Sequence, residues 1–190
     1  MSLQLAEQFE ANEQYEDAYR EYKKEFDQNP EDLGLMERLG HLSLILEKPE
    51  EAAWYYHEIL KRDVANPLAY EQLISIYENT DKYKYYIYRG NKNSLEGKLE
   101  FAVNDFKKAL AVASDETQII MTRLTLANLY RQQGKELKAI DEYNVILEYD
   151  NLHEEIFLQL ADLYMKDEAY PSAIDVLQRA KQKGFDADRI

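Results

Sequence analysis

Leu126-Ala127-Asn128-Leu129-Tyr130-Arg131-Gln132-Gln133-Gly134-Lys135, followed by Ala139 and Tyr143, is the stretch that decides the fold. Leu126, Ala127 and Tyr130 fall on one face of a helix, because residues three and four apart share a side. Gln132-Gln133-Gly134-Lys135 is a turn signal. Beyond it Ala139, Ile140, Tyr143, Ile146 and Leu147 resume apolar spacings of three and four, which predicts a second amphipathic helix. Ala127 and Ala139 supply one small residue per helix, and such residues belong where two helices approach closely. The stretch therefore reads as a helical hairpin with a packed inner stripe.

The same pattern extends in both directions. Ala18, Ala52, Ala102, Ala139 and Ala173 are separated by 34, 50, 37 and 34 residues. Twelve positions before each alanine stands another small residue: Ala6, Gly40, Gly90, Ala127 and Ala161. Three further on come Phe9, Ser43, Asn93, Tyr130 and Tyr164. Four positions after the alanines come Tyr22, Tyr56, Phe106, Tyr143 and Leu177. Registers advancing together along a chain mark a repeat architecture. Each unit reads as two helices with the small residues facing one another.

Composition agrees. The 190 residues are 45% hydrophobic and 32% charged, with only 6 Gly and 4 Pro, which favours an all-α chain over one rich in turns. There is no cysteine, so no disulfide, thiolate metal site or cysteine nucleophile is available. The start, Met1-Ser2-Leu3-Gln4-Leu5-Ala6-Glu7, lacks the basic and apolar regions of a secretion signal, and no apolar run is long enough to span a bilayer. A cytoplasmic location without membrane insertion is expected. The net charge of −14 disfavours binding to nucleic acid or an anionic membrane.

Taken together, these registers resemble the tetratricopeptide repeat, whose period is about 34 residues. Two segments carry the likeness best: Tyr88-Arg89-Gly90-Asn91 through Gly97-Lys98-Leu99-Glu100-Phe101-Ala102 to Leu110, and the Leu126–Tyr143 stretch. The resemblance covers nearly the whole chain, as about five units. It implies an all-α, right-handed superhelical solenoid of antiparallel helix pairs. Ser43 and Asn93 depart from it, since the family usually has a large aromatic there. Glu25 stands where a small apolar residue is usual. The polar first helix, Leu3 to Asn12, and the absence of an evident solvating helix after Gly184-Phe185-Asp186 suggest a piece of a longer array, or ends that contact something.

The step from Ala52 to Ala102 breaks the period. The additional residues contain an apolar stripe, Leu73, Ile74, Ile76 and Tyr77, on a helix predicted over 68–78. It reads as a first helix without its second. The chain is accordingly expected to comprise two arrays: residues 1–81, with two repeats and this irregular extra helix, and residues 82–190, with three repeats.

Catalytic and cofactor signatures are missing. His41, His57 and His153 have no partners at metal-ligand spacing, and no phosphate-cradling glycine loop or nucleophile elbow occurs. No enzyme activity and no cofactor are expected. By resemblance, a protein or peptide partner would lie against the first helix of each unit. The positions this implies are Ile87, Asn91 and Leu95; Met121, Leu124, Asn128 and Arg131; and Leu158, Asp162 and Met165. Glu37, His41 and Leu44 correspond in the first array. Asparagine amides can bond a peptide backbone whatever its sequence. A clamp for the carboxylate tail of heat-shock chaperones, known in some members, is disfavoured: Asn91 is kept, but Ile87, Thr125, Glu155 and Gln159 occupy other clamp positions. Two alternatives stand beside the adaptor reading. One is self-association as a scaffold. The other is nucleic-acid contact through residues 82–98, where Lys82, Lys84, Arg89, Lys92 and Lys98 interleave with tyrosines.

Overall fold

The computed structural model describes residues 2–149 and 154–185. His153 and Asp186 lie outside them. Among the described residues every regular element is helical: α1 (Ser2–Ala11), α2 (Tyr15–Gln28), α3 (Leu33–Ile45), α4 (Pro49–Arg62), α5 (Pro67–Tyr77), α6 (Lys82–Leu95), α7 (Leu99–Val112), α8 (Glu116–Gln132), α9 (Glu136–Ile146), α10 (Glu154–Lys166) and α11 (Tyr170–Gln182). The chain forms two compact units, Met1–Lys98 and Leu99–Ile190. In the first, α1 packs on α2, α3 on α4, and α5 on α6. In the second, α8 packs on α9 and α10 on α11, while α7 packs on α8.

The repeat registers are packing registers. Ala18, Ala52, Ala102, Ala139 and Ala173 are all fully buried, and so are Ala6 and Ala127. Gly40, Gly90 and Ala161 are buried as well. The aromatics Tyr22, Tyr56, Phe106 and Tyr143 fill the space beside the alanines, each no more than 2% exposed. Gly40 shows why the slot is small. A Cβ there would lie 2.9 Å from Tyr56 Cζ. Ser43, in a slot usually aromatic, is also fully buried, and its hydroxyl has no hydrogen-bond partner.

The turn inside each unit repeats down to the backbone. Glu13, Glu47, Gly97, Gly134 and Glu168 each stand five residues before a register alanine, and all have positive φ, from 55° to 72°. In every case the next amide closes the end of the first helix onto a carbonyl five residues back: Gln14 to Phe9 at 2.9 Å, and Lys48 to Ser43, Lys98 to Asn93, Lys135 to Tyr130 and Ala169 to Tyr164 at 2.8 Å. This left-handed cap satisfies otherwise orphaned carbonyls. First helices begin differently. Asp32, Asn66, Asp81 and Asp115 accept from the amides of Leu35, Ala69, Lys84 and Gln118. Each such cap contributes about 1 kcal/mol.

The helix predicted over 68–78 is α5, and it is not unpaired. It packs on α4 before it and on α6 after it. The joint is aromatic. Tyr77 stacks on Tyr88 with ring centroids 5.8 Å apart, and Tyr70 lies 6.3 Å from Tyr88. His57 of α4 ties the three helices together, its Nε2 3.0 Å from the Tyr77 hydroxyl and its Nδ1 2.9 Å from that of Tyr88. Burial, and then the charges of Lys84 and Lys61, hold the His57 imidazole below its ordinary pKa, so the neutral ring is favoured. The break in the period predicts a division at 81/82. In the structure α6 groups with the first unit, because Tyr88 completes a cluster that α5 alone would leave open. The longer step from Ala102 to Ala139 also has a local cause: α8 has 17 residues, against 13 in α3 and α10.

Candidate functional site

None of the ten residues placed on the binding face by resemblance belongs to the buried core. Met121, Asn128, Asp162, Met165 and Leu95 are exposed, and Ile87, Asn91, Leu124, Arg131 and Leu158 are half-buried. Ile87, Asn91 and Leu95 lie on α6, in the first unit; the other seven lie on α8 and α10, in the second.

Within the second unit the structure gathers three of these residues around two depressions. One, of about 490 Å³, is lined by Leu124, Asn128, Glu155, Ile156, Gln159 and Phe185, with Glu154 at its edge. The other, of about 520 Å³, is lined by Asn128, Arg131, Gln132, Glu136, Leu163 and Lys166. Asn128 belongs to both. Met121, Leu158, Asp162 and Met165 line neither. Asp162 is paired with Lys166 at 2.8 Å, one helical turn away.

The polar groups here form a connected set. Arg131 Nη1 donates to Gln159 Oε1 at 3.3 Å. The Tyr143 hydroxyl donates to the same oxygen and lies 3.3 Å from Asn128 Oδ1. Gln159 Nε2 donates to Glu155 Oε1 at 2.9 Å. Arg131 makes no ion pair among the described residues. Its guanidinium bonds a neutral amide, with Glu136 and Lys166 lining the same depression. In the sequence Gln159 and Glu155 stand out only as departures from a chaperone clamp, and the register makes Tyr143 a core residue. Its ring is core. Its hydroxyl, buried with the ring, reaches Asn128 and Gln159 from beneath.

The first unit has a corresponding depression of about 350 Å³. Glu37, His41, Arg38, Glu10, Leu68 and Gln72 line it, and Leu44 does not. Here the arginine is engaged: Arg38 Nη1 donates to both carboxylate oxygens of Glu10, at 3.3 and 3.1 Å, and Glu10 also accepts from the Tyr22 hydroxyl at 2.9 Å. Burial and that bond to Glu10 push the Tyr22 hydroxyl up to about 12.

The basic, tyrosine-rich stretch on α6 directs much of its charge at its own neighbours. Lys92 pairs with Glu71 at 2.8 Å and Lys98 with Glu96 at 2.6 Å. Lys84 pairs with Asp81 at 3.3 Å and lies 4.8 Å over the Tyr77 ring, and Arg89 lies 4.7 Å over that of Tyr85. Rings and cations satisfied by one another are poorly placed to stack on bases and meet phosphates. Among the described residues, no group of three or more His, Cys, Asp or Glu could hold a metal ion, and no helix is long and apolar enough to cross a membrane.

No protein-family model matches the sequence, and no curated protein matches it. Solved structures do match. The APC/C hetero-tetramer Cut9-Hcn1 is 20% identical over 94% of this chain and 38% of that one, with a TM-score of 0.52. MamA is 17% identical over 94% of each chain, with a TM-score of 0.44. YrrB, described as a TPR protein with an unusual peptide-binding site, is 14% identical over 94% of this chain and 82% of its own, with a TM-score of 0.45. Identities this low speak to fold alone. Together with the buried registers and the recurring left-handed turn, the match at a TM-score of 0.52 leads to one conclusion: this chain has the tetratricopeptide-repeat fold, built from consecutive helical hairpins.

Proposed function

We propose that the chain is a non-catalytic cytoplasmic adaptor that holds an extended peptide segment of a partner protein, and that the binding face of the second unit carries this activity. One observation supports the reading above the rest. Asn128 stands between two depressions of ligand-pocket size, beside an arginine that has no carboxylate partner among the described residues. A side-chain amide can bond a peptide backbone at that boundary, while flanking side chains enter on either side. The absence of cysteine suits a reducing compartment.

The test is selection of a phage-displayed library of random nonapeptides on the full chain, repeated with the Asn128→Ala/Arg131→Ala variant. The fold should be retained, with stability within about 1.5 kcal/mol of the parent, because Asn128 is exposed and half-buried Arg131 gives up one neutral hydrogen bond. Affinity for the selected peptides should fall about tenfold or more, as the loss of a charge-assisted bond requires. Undiminished binding by the double variant would remove this face from consideration.

A further inference from the structure

The set of polar groups on the second unit has a direction. Gln159 Oε1 accepts from both the Tyr143 hydroxyl and Arg131 Nη1, and its Nε2 is committed to Glu155. Turning the amide over would point its NH₂ at the Arg131 donor and its oxygen at the Glu155 carboxylate, breaking both bonds, and would leave the Tyr143 hydroxyl only the longer bond to Asn128 Oδ1 at 3.3 Å. The Tyr143 ring is fully buried on α9 and cannot follow. An unmade bond at such a site is costly, so Gln159 is fixed. Arg131 is thereby held in place by a neutral oxygen at a long 3.3 Å. It is positioned without being neutralised. A carboxylate offers it a shorter, charge-assisted and bidentate alternative.

The two depressions differ in kind. The one at Arg131 also carries Glu136 and Lys166, and Lys166 is paired with Asp162 at 2.8 Å, so Arg131 is its cation without a carboxylate partner among the described residues. The other carries Glu154 and Glu155 beside Leu124, Ile156 and Phe185. A carboxylate is favoured in the first and repelled from the second, which suits an apolar side chain. The chain's net negative charge does not cancel this preference, because exposed charges beyond about 8 Å are largely screened at physiological salt. In an extended peptide, side chains two apart point the same way.

From this arrangement, and resting on the peptide-binding reading above, we propose that Tyr143 and Gln159 are positioning residues that hold Arg131 as a reader of carboxylates. The second unit then selects segments with an acidic and an apolar side chain two residues apart. Gln159→Glu is the sharpest challenge to the idea. It places a carboxylate beside Arg131 within the chain itself, and that internal anion competes with the ligand's.

The experiment uses the nonapeptides enriched by the parent chain, each resynthesised with a fluorescent label in an acidic form and in the matching Gln or Asn form. Fluorescence anisotropy gives Kd for both. The parent chain should prefer the acid by about tenfold. Gln159→Glu should lower affinity for the acidic form by about tenfold and leave the amide form nearly unaffected. Tyr143→Phe keeps the ring but lets Gln159 turn, so the acid-to-amide ratio should drop severalfold. A merely structural loss would weaken both forms alike. Should Tyr143→Phe fail to fold, Gln159→Glu and Gln159→Leu, at a half-buried position, keep the test intact. An unchanged ratio in Gln159→Glu overturns the proposal. So does a parent chain whose selected peptides require Asn128 and Arg131 yet show no acid preference; in that case the peptide-binding reading survives. A library from which nothing is enriched defeats both.

Discussion

The two units build the same hairpin and treat an arginine on a first helix in opposite ways. In the first, Arg38 of α3 meets Glu10 of α1 across the unit, and the depression beside it keeps Glu37. In the second, Arg131 of α8 meets the uncharged Gln159 of α10. Both arginines are on first helices but at different register positions, Arg38 two residues before the buried Gly40 and Arg131 four after the buried Ala127. The difference comes from the neighbouring helix. A repeat register dictates what is small and what is aromatic, because those residues touch within the unit or across a regular interface. It does not dictate the charge of the binding face, which depends on single side chains supplied by adjacent units.

The units also close differently. Three helical pairs in the first share one contiguous core, from Ala6 on α1 to Leu73 on α5, with Tyr88 of α6 packed against it. The largest expected effect tests that closure. A fragment of residues 1–98 should melt cooperatively. A fragment of residues 1–81, which strips Tyr88 from Tyr77, Tyr70 and His57, should be less stable by roughly 3 kcal/mol or more, the scale of losing a buried aromatic. Circular dichroism melts of the two decide it. Equal midpoints would mean that α6 adds nothing to the first unit and that the division belongs at 81/82. On the other side of that division, residues 82–190 should still give a helical, cooperative melt, because each repeat draws on its neighbours.

A smaller effect addresses the shared register. Gly40→Leu drives a side chain into the Tyr56 ring, where even a Cβ comes within 2.9 Å. Overpacking of this kind costs typically 1–3 kcal/mol, beyond anything gained in helix propensity. The midpoint of the first unit should fall accordingly. A variant that melts like the parent would mean that the two helices of this hairpin can slide apart without penalty, and the register would lose its meaning.

The smallest effect compares the turns. Glu47 holds φ at 57° and Gly134 at 69°. Non-glycine residues pay roughly 1 kcal/mol for that conformation. Glu47→Gly should therefore stabilise by about 0.5–1 kcal/mol, reduced by the added freedom of the unfolded chain. Gly134→Ala should destabilise by about 1 kcal/mol. Nothing lies within 4 Å of a Cβ at Gly134, so backbone strain is the whole cause. Urea midpoints of both variants check the pair. Changes of the opposite sign would show that the five turns are alike in geometry but not in energy. Nothing in the structure explains why Glu13, Glu47 and Glu168 occupy a position suited to glycine.

The sequence by itself determined the helical hairpin, its small and aromatic registers, and the break after Ala52. Each of these depends on residues close in the chain, where a period of three or four maps directly onto one helix face. Gly97 and Gly134 announced their turns; Glu13, Glu47 and Glu168 adopt the same conformation with no such signal, since glutamate does not favour it. The tertiary structure alone decided that α5 is covered by α6, because that joint depends on rings from α5 and α6 and a histidine from α4 meeting at one place. It alone decided the state of Arg131. Arg131 and Gln159 are 28 residues apart, and Tyr143 sits between them on a different helix. Whether a buried tyrosine's hydroxyl reaches a glutamine, and whether that glutamine stands where a carboxylate could have stood, is a matter of a few ångströms between helices. No local pattern encodes a distance of that kind.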